Sequence, residues 1–258
     1  MNTIVLLALI LASLMAIIGG KKGLRSFLAL FFNFSVIIIL LFFLNVPTLH
    51  AIGLTILTCL AIGCINLFYI NGLNTTTRAA FLSTVVTTLF LLLLIVFISD
   101  KALIHGFGEE EMEEMGAFSL YIGINFAHLA ISVILMSTIG AITDAAIAIS
   151  SPMREMYYHH PNSTRKELYQ FGLNIGRDII GTSINTLFFA FLGSYLALLI
   201  WFKDLNYTLG EMMNTKVFSA EVITICCAAI GVTLVIPMTA WITAYLFVKE
   251  KKPMNPIE

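Results

Sequence analysis

Long apolar runs and short polar breaks alternate along the whole chain. Seven runs approach the ~20 residues a bilayer-spanning helix needs: roughly 3–19, 26–44, 50–71, 79–98, 118–141, 179–201 and 221–248. None shows the period-two alternation of a barrel strand, and in lipid only helices and closed barrels satisfy every backbone polar group. The pattern predicts an all-α, polytopic membrane helix bundle with seven transmembrane helices in a single integral membrane domain, 1–258. The fifth run continues without a breaker to about Ser151, so its helix is expected to tilt or to project from the bilayer. The first run lacks a positive n-region and no A-x-A-like site follows it. It is expected to be a retained span.

Between runs five and six lies a linker, 152–178, with an amphipathic pattern broken at Pro161. It predicts an amphipathic cytoplasmic helix that begins by Arg165, capped by Asn162 or Ser163, with Glu167 in its first turn.

Lys and Arg placement sets the orientation. With the N-terminus outside and the C-terminus inside, the inner segments hold Lys21, Lys22, Arg25, Arg78, Arg154, Arg165, Lys166, Arg177, Lys249, Lys251 and Lys252, which is 11 of the 14 positive residues. Lys101, Lys203 and Lys216 fall outside. The reverse orientation would invert that ratio, so the expectation is N-out, C-in.

Composition agrees. The chain is 59% hydrophobic and 11% charged, against about 25% charged in an ordinary soluble domain. Its net charge of −1 gives no reason to expect nucleic acid. Membrane lipid is the expected surrounding. Cys59, Cys64, Cys226 and Cys227 sit in apolar runs and are expected to be packed thiols. The loop at 99–116 carries Glu109, Glu110, Glu111, Glu113 and Glu114. Such a run reads either as a solvated acidic loop or as a vestibule that attracts cations. Lysines at the C-terminal exit read as ordinary anchoring to anionic lipid.

No nucleophile elbow, metalloprotease helix, Gly-rich phosphate loop or paired-cysteine metal site is present. The chain is therefore not expected to be an enzyme or to carry a metal or cofactor, and His159 and His160 on the linker read as solvated. Its chemistry must come from polar residues inside the membrane. In run five, Asn125, His128 and Ser132 share one helical face, and Ser137, Gly140, Ala141, Asp144, Ala145 and Ala148 extend it as a stripe of small residues. His128 reads either as a neutral ring bonded to a neighbouring helix or as a proton relay. Asp144, Arg177 and Asp178 are the stronger set. The chain leaves the membrane near Asp144 and re-enters near Asp178, so these residues are expected at similar depth on adjacent antiparallel helices, with Arg177 as the counter-charge. They form either a buried functional cluster or an interfacial clamp. Asn174, Asp178, Thr182, Asn185 and Thr186 continue as a polar face, beside Gly176 and Gly181. That face is expected to turn toward the bundle interior or a water-filled path.

At these residues the chain resembles the YibE/F family of bacterial membrane proteins. The strongest part is GAITDAAIAISSPMRE followed by FGLNIGRDIIGTSINTLFFAFLG, with GGKKGLRSFLALF and INGLNTTTRAA in support. The chain passes directly from Ile18 through Lys22 into the second run, so it is similar to the short member without an extracytoplasmic domain. That resemblance implies a bacterial cytoplasmic membrane, multi-pass, and a separately encoded YibE-like partner chain that supplies the missing domain. An oligomer is also compatible with it. A weaker resemblance, over ~50 residues, is to the membrane helices of SecF and RND permeases, where intramembrane polar residues couple proton flow to movement; it is analogy. Together these imply a permease-like subunit, ion- or proton-coupled, centred on Asp144, Arg177 and Asp178 and supported by Asn174, Thr182, Asn185 and His128. The alternative is a scaffold that anchors a partner's extracytoplasmic domain without transport.

Overall fold

The computed structural model describes residues 2–44, 46, 49–102 and 125–250. The acidic run at 109–114, the start of the fifth apolar run and Lys251 and Lys252 lie outside the described residues. Every regular element among the described residues is helical: α1 (Thr3–Leu44), α2 (Ala51–Cys64) continuing as a π-helical turn (Ile65–Tyr69), α3 (Thr75–Ala102), α4 (Phe126–His159), α5 (Arg165–Ser194), α6 (Leu196–Asp204), α7 (Leu209–Asn214) and α8 (Lys216–Glu250). Five of these are long and apolar enough to cross a membrane, and α5 with α6, bent by 53°, adds a sixth if the pair is one span.

Glycine decides the shape of α1. Its 42 residues would extend roughly 63 Å as a straight helix, about twice the ~30 Å hydrocarbon core. Gly20 breaks it with φ 55° and ψ −135°, a conformation side chains resist. Beyond the break Gly23 sits against the Met15 backbone, so the chain doubles back there. Residues 3–19 are exposed almost all round, as suits a helix bathed in lipid.

The remaining helices assemble around α8, which packs against α3, α4 and α5, while α4 also packs against α2 and α3. Individual contacts set the register. Cys59 Sγ lies 3.9 Å from Met136 Sδ and the Thr55 hydroxyl donates to Ser132 Oγ at 2.8 Å, so α2 runs parallel to α4. Gly231 of α8 meets Ile142 of α4 and Leu91 of α3, and further along Gly172 of α5 meets Met153 of α4 and Ala240 of α8. Gly176 then meets Ile236. Two successive pairs, 172 with 240 and 176 with 236, run α5 antiparallel to α8. The core follows these seams, with Leu91, Ile95, Leu135, Ile142, Val232 and Val235 fully buried in one cluster and Ile149, Met153, Leu168, Ala240 and Phe247 in a second.

Several boundaries differ from the sequence expectation. The linker 152–178 is mostly helix: α4 carries Pro152 internally and runs on to His159, and α5 starts at Arg165 and enters the apolar run without interruption. The amphipathic stretch is thus the first turns of α5, not a helix of its own. Its cap is Thr164, not Asn162 or Ser163, in a reciprocal box with Glu167. The sixth run, expected as one helix over 179–201, bends at Tyr195. Of the four free thiols, Cys59 and Cys227 are buried, Cys64 is partly buried and Cys226 is exposed, so the expected packing fails at Cys226. An α-helix cannot turn two adjacent residues, such as 226 and 227, to the same side.

Candidate functional site

The polar residues that the sequence singles out sit on α4 and α5, and the faces that these helices bury fix where those residues point. On α4 the buried side runs through Leu135, Ile139, Ile142, Ala146, Ile149 and Met153. At 100° per residue Asp144 lies about 200° round from Ile142, and it is exposed together with Ser137, Ala148 and Ser151. On α5 the buried side is set by Leu168, Gly172 and Gly176, and the two bare glycine backbones let α5 press against α8. Asn174, Arg177, Asp178, Gly181 and Asn185 fall within an arc of about 100° on the opposite side, and all are exposed. Gly140 and Gly181 have nothing near the place a Cβ would occupy. Both polar faces turn away from the bundle. Of the two expectations for the α5 face, the interior of the bundle is corrected, because the small residues that draw the helix inward lie on its other side; a water-filled path stays an expectation.

Depth is better matched. Counting outward from the Met153–Gly172 contact along antiparallel helices puts Asp144 level with Gly181 and Arg177 level with Ala148. The carboxylate and the guanidinium are therefore offset by about one turn, ~5.4 Å. They do not meet within the chain. Among the described residues the acid–base contact is His159 Nε2 with Glu155 Oε1, 3.2 Å apart on an exposed part of α4. Arg177 Nη1 donates to Asn174 Oδ1 at 3.4 Å, a long contact. Asp144, Asp178 and Asn185 make no side-chain hydrogen bond or ion pair among the described residues. Thr182 and Thr186 need none, because their hydroxyls donate to the Ile179 and Thr182 carbonyls, each at 2.8 Å. A charged side chain at the centre of a membrane helix costs ~2.5–3.5 kcal/mol on insertion scales.

The other sequence candidates separate from this face. Asn125 caps α4, its Oδ1 accepting from the Ala127 and His128 backbone N–H groups at 3.0 and 3.3 Å. Ser132 donates to the His128 carbonyl at 2.8 Å and accepts from Thr55, tying α4 to α2. His128 lies on that inner side, partly buried, far round the helix from Asp144. The expected continuous stripe is thus two faces. His159 and His160 are exposed, and no group of three or more potential metal ligands occurs among the described residues.

Sequence reasoning passed over the core hydroxyls. Thr84, Thr87 and Thr88 of α3 and Thr239 and Thr243 of α8 are buried, with hydroxyls that have no partner among the described residues. The paired hydroxyls Ser83-Thr84 and Thr87-Thr88 within an apolar run are the available signal. An apolar pocket of ≈ 110 Å³ lies beside Thr84 and Thr88, between Cys59, Gly63 and Phe81, away from Asp144.

A family model described as YibE/F-like protein matches residues 7–249, which takes in both polar faces and the helices that hold them. The chain belongs to the YibE/F-like family. No curated protein and no solved structure matches it. In this family member the I-G-R-D string of α5 divides its work by face: Gly176 packs inward against Ile236, while Arg177 and Asp178 are presented outward.

Proposed function

We propose that this YibE/F-like chain is a permease-like subunit of the bacterial cytoplasmic membrane, ion- or proton-coupled, that works in an assembly with further protein, including a YibE-like partner. The observation that carries the reading is the outward charge on α4 and α5. Asp144 lies on a helix long and apolar enough to cross a membrane, and Arg177 and Asp178 lie on α5, which qualifies together with α6; none has an ion-pair partner among the described residues, and an intramembrane ionisable group is a functional-site candidate by default. Asp144 of α4 supplies a carboxylate that can take up and release a proton, and α5 supplies a positive charge at Arg177 about one turn away in depth, with Asn174 and Asn185 as hydrogen-bonding side chains on the same face of α5. A seam of water between this face and a neighbouring chain is the route.

The reading includes seven spans with N-out, C-in orientation. The Gly20 reversal supports counting α1 as two spans, and the bent α5–α6 pair supports one more. The excess of Lys and Arg on the inner segments supports the orientation.

The scaffold alternative draws on the same exposure, since an outward polar face also suits docking. Labelling separates the two. In a cysteine-free background, Asn185→Cys and Gly181→Cys are challenged in sealed vesicles with a membrane-impermeant thiol reagent, with Asn2→Cys as an orientation marker. Transport predicts labelling at both positions in the assembled protein and at Asn2→Cys from the outside only. Protected positions on a fully assembled protein mean a dry contact, and the scaffold stands instead.

A further inference from the structure

We propose that Arg165, at the start of α5, and Lys249, at the end of α8, together hold the phosphodiester headgroup of an anionic phospholipid, with Tyr245 and Trp241 lying along the lipid beneath it. The proposal is independent of transport and needs only that these helices cross a membrane.

Two cations from different helices converge on one aromatic ring. The guanidinium carbon of Arg165 lies 4.8 Å from the Tyr245 ring centroid, and Lys249 Nζ lies 5.7 Å from it. The α5–α8 seam brings them together. Arg165 falls within about 20° of Gly172 round α5, so it prolongs the face on which Gly172 meets Ala240. Both side chains are exposed, and neither is in an ion pair among the described residues. Glu167, the acid nearest to Arg165 in sequence, accepts from the Thr164 N–H. Like charges gathered at one ring repel each other, and an anion shared between them replaces that repulsion with two attractions. A guanidinium grips phosphate oxygens in pairs, and an ammonium adds a point charge.

The pattern of α8 indicates which phosphate. Residues 222–248 carry no charge, and Lys249 ends that run. Trp241, Tyr245 and Lys249 follow at four-residue steps along one stripe. The two aromatic rings stack with centroids 6.4 Å apart, and Trp241 and Tyr245 are 62% and 41% exposed. Exposed Trp and Tyr at the end of an apolar span suit the membrane interface. Along the helix the stripe passes from apolar run to indole, phenol and ammonium, the order in which a phospholipid passes from acyl chain through glycerol to phosphate. A basic pocket between membrane helices is a general seat for such headgroups. A free phosphate ion would engage the cations alone and leave the aromatic pair without a role.

Trp241 reports directly on the site. The chain has two tryptophans, so Trp201→Phe leaves Trp241 as the single emitter. The full chain in that background is reconstituted in phosphatidylcholine vesicles in which a varied fraction of the lipid is brominated on its acyl chains, as phosphatidylglycerol or as phosphatidylcholine. The fraction of brominated phosphatidylglycerol that half-quenches Trp241 is expected to fall below that of phosphatidylcholine by about five-fold for each cation. Arg165→Gln and Lys249→Gln should each remove one such factor, and together they should abolish the preference. Arg165→Lys, which keeps the charge, should retain most of it. Lys21→Gln with Lys22→Gln, at exposed cations of α1, should leave it intact, and so should added inorganic phosphate. Quenching by brominated phosphatidylcholine checks the fold of each variant, since it requires only that Trp241 faces lipid. Four results overturn the proposal: equal quenching by the two lipids, a preference that survives the double substitution, an equal loss in the Lys21 and Lys22 variant, or a loss on adding inorganic phosphate. The third assigns the preference to general surface charge, and the last makes the ligand a free ion.

Discussion

At the scale of single residues, glycines decide which way the charged side chains face. Gly172 and Gly176 let α5 close on α8: a Cβ at 172 would stand 2.6 Å from Met153 Sδ and 2.8 Å from Ala240 Cβ, and one at 176 would collide with Ile236 Cγ2. Gly181, on the opposite side, meets nothing. Gly176→Ala should therefore destabilise the fold by about 1–3 kcal/mol, seen as a lower unfolding temperature in detergent. Gly181→Ala should leave stability unchanged, or raise it by up to ~1 kcal/mol through helix propensity. Equal destabilisation by both would contradict the assignment of faces. The sequence shows that Asn174, Asp178 and Asn185 share a face, because helical spacing alone sets that. It does not show which glycine is buried, since Gly176 and Gly181 look alike until the helix against them is known. For that reason a polar face expected to look inward lies outward.

At the scale of elements, periodicity and capping chemistry locate the helices well, and breaks poorly. A long apolar run reads as a helix because lipid allows little else, and every described run is helical. Pro152 and Tyr195 read in the reverse sense: the proline is carried inside α4, whereas the chain bends by 53° beside a tyrosine that no breaker rule marks. The Tyr195 hydroxyl donates to Glu221 Oε1 at 2.7 Å, so the bend coincides with a contact to α8 that local sequence does not encode. The start of α5 is held locally. Glu167 accepts from the Thr164 N–H at 2.8 Å, and Thr164 Oγ1 accepts from the Glu167 N–H at 3.3 Å. The Thr164 backbone N–H, and after it the Thr164 hydroxyl, hold the Glu167 carboxyl below its ordinary value of 4.5. A depressed carboxyl stabilises the folded helix start above the ordinary value, and the contribution is lost as pH falls through the lower, folded value. Protection of the 165–168 amides, their exchange rate relative to that of an unstructured chain at the same pH, should therefore be high at neutral pH and fall below about pH 4.5 as the cap protonates. Thr164→Ala should lower that protection already at neutral pH, at a cost of about 0.5–2 kcal/mol to the helix start. Exchange that is insensitive to both changes would show that tertiary packing, not the cap, holds this end.

At the scale of the whole molecule, a tight helical core carries a charged exterior. Apolar seams and small residues bind α2, α3, α4, α5 and α8 to one another, and the charges that lipid tolerates least lie on the two helices with outward faces left bare. This division accounts for the cluster whose role sequence leaves open between engine and clamp. Within one chain Asp144 and Arg177 do not form an ion pair among the described residues, and the proposed reading gives their completion to a neighbouring chain. The most direct test is proton movement through the assembled protein. The chain is purified with whatever partners accompany it and reconstituted in liposomes that enclose a pH-sensitive dye, and an external acid pulse is applied. Wild type is expected to acidify the lumen faster than protein-free liposomes, and Asp144→Asn, inserted in equal amount and equally assembled, is expected to lose that excess. Equal acidification by wild type and Asp144→Asn would contradict a coupling role for the carboxylate.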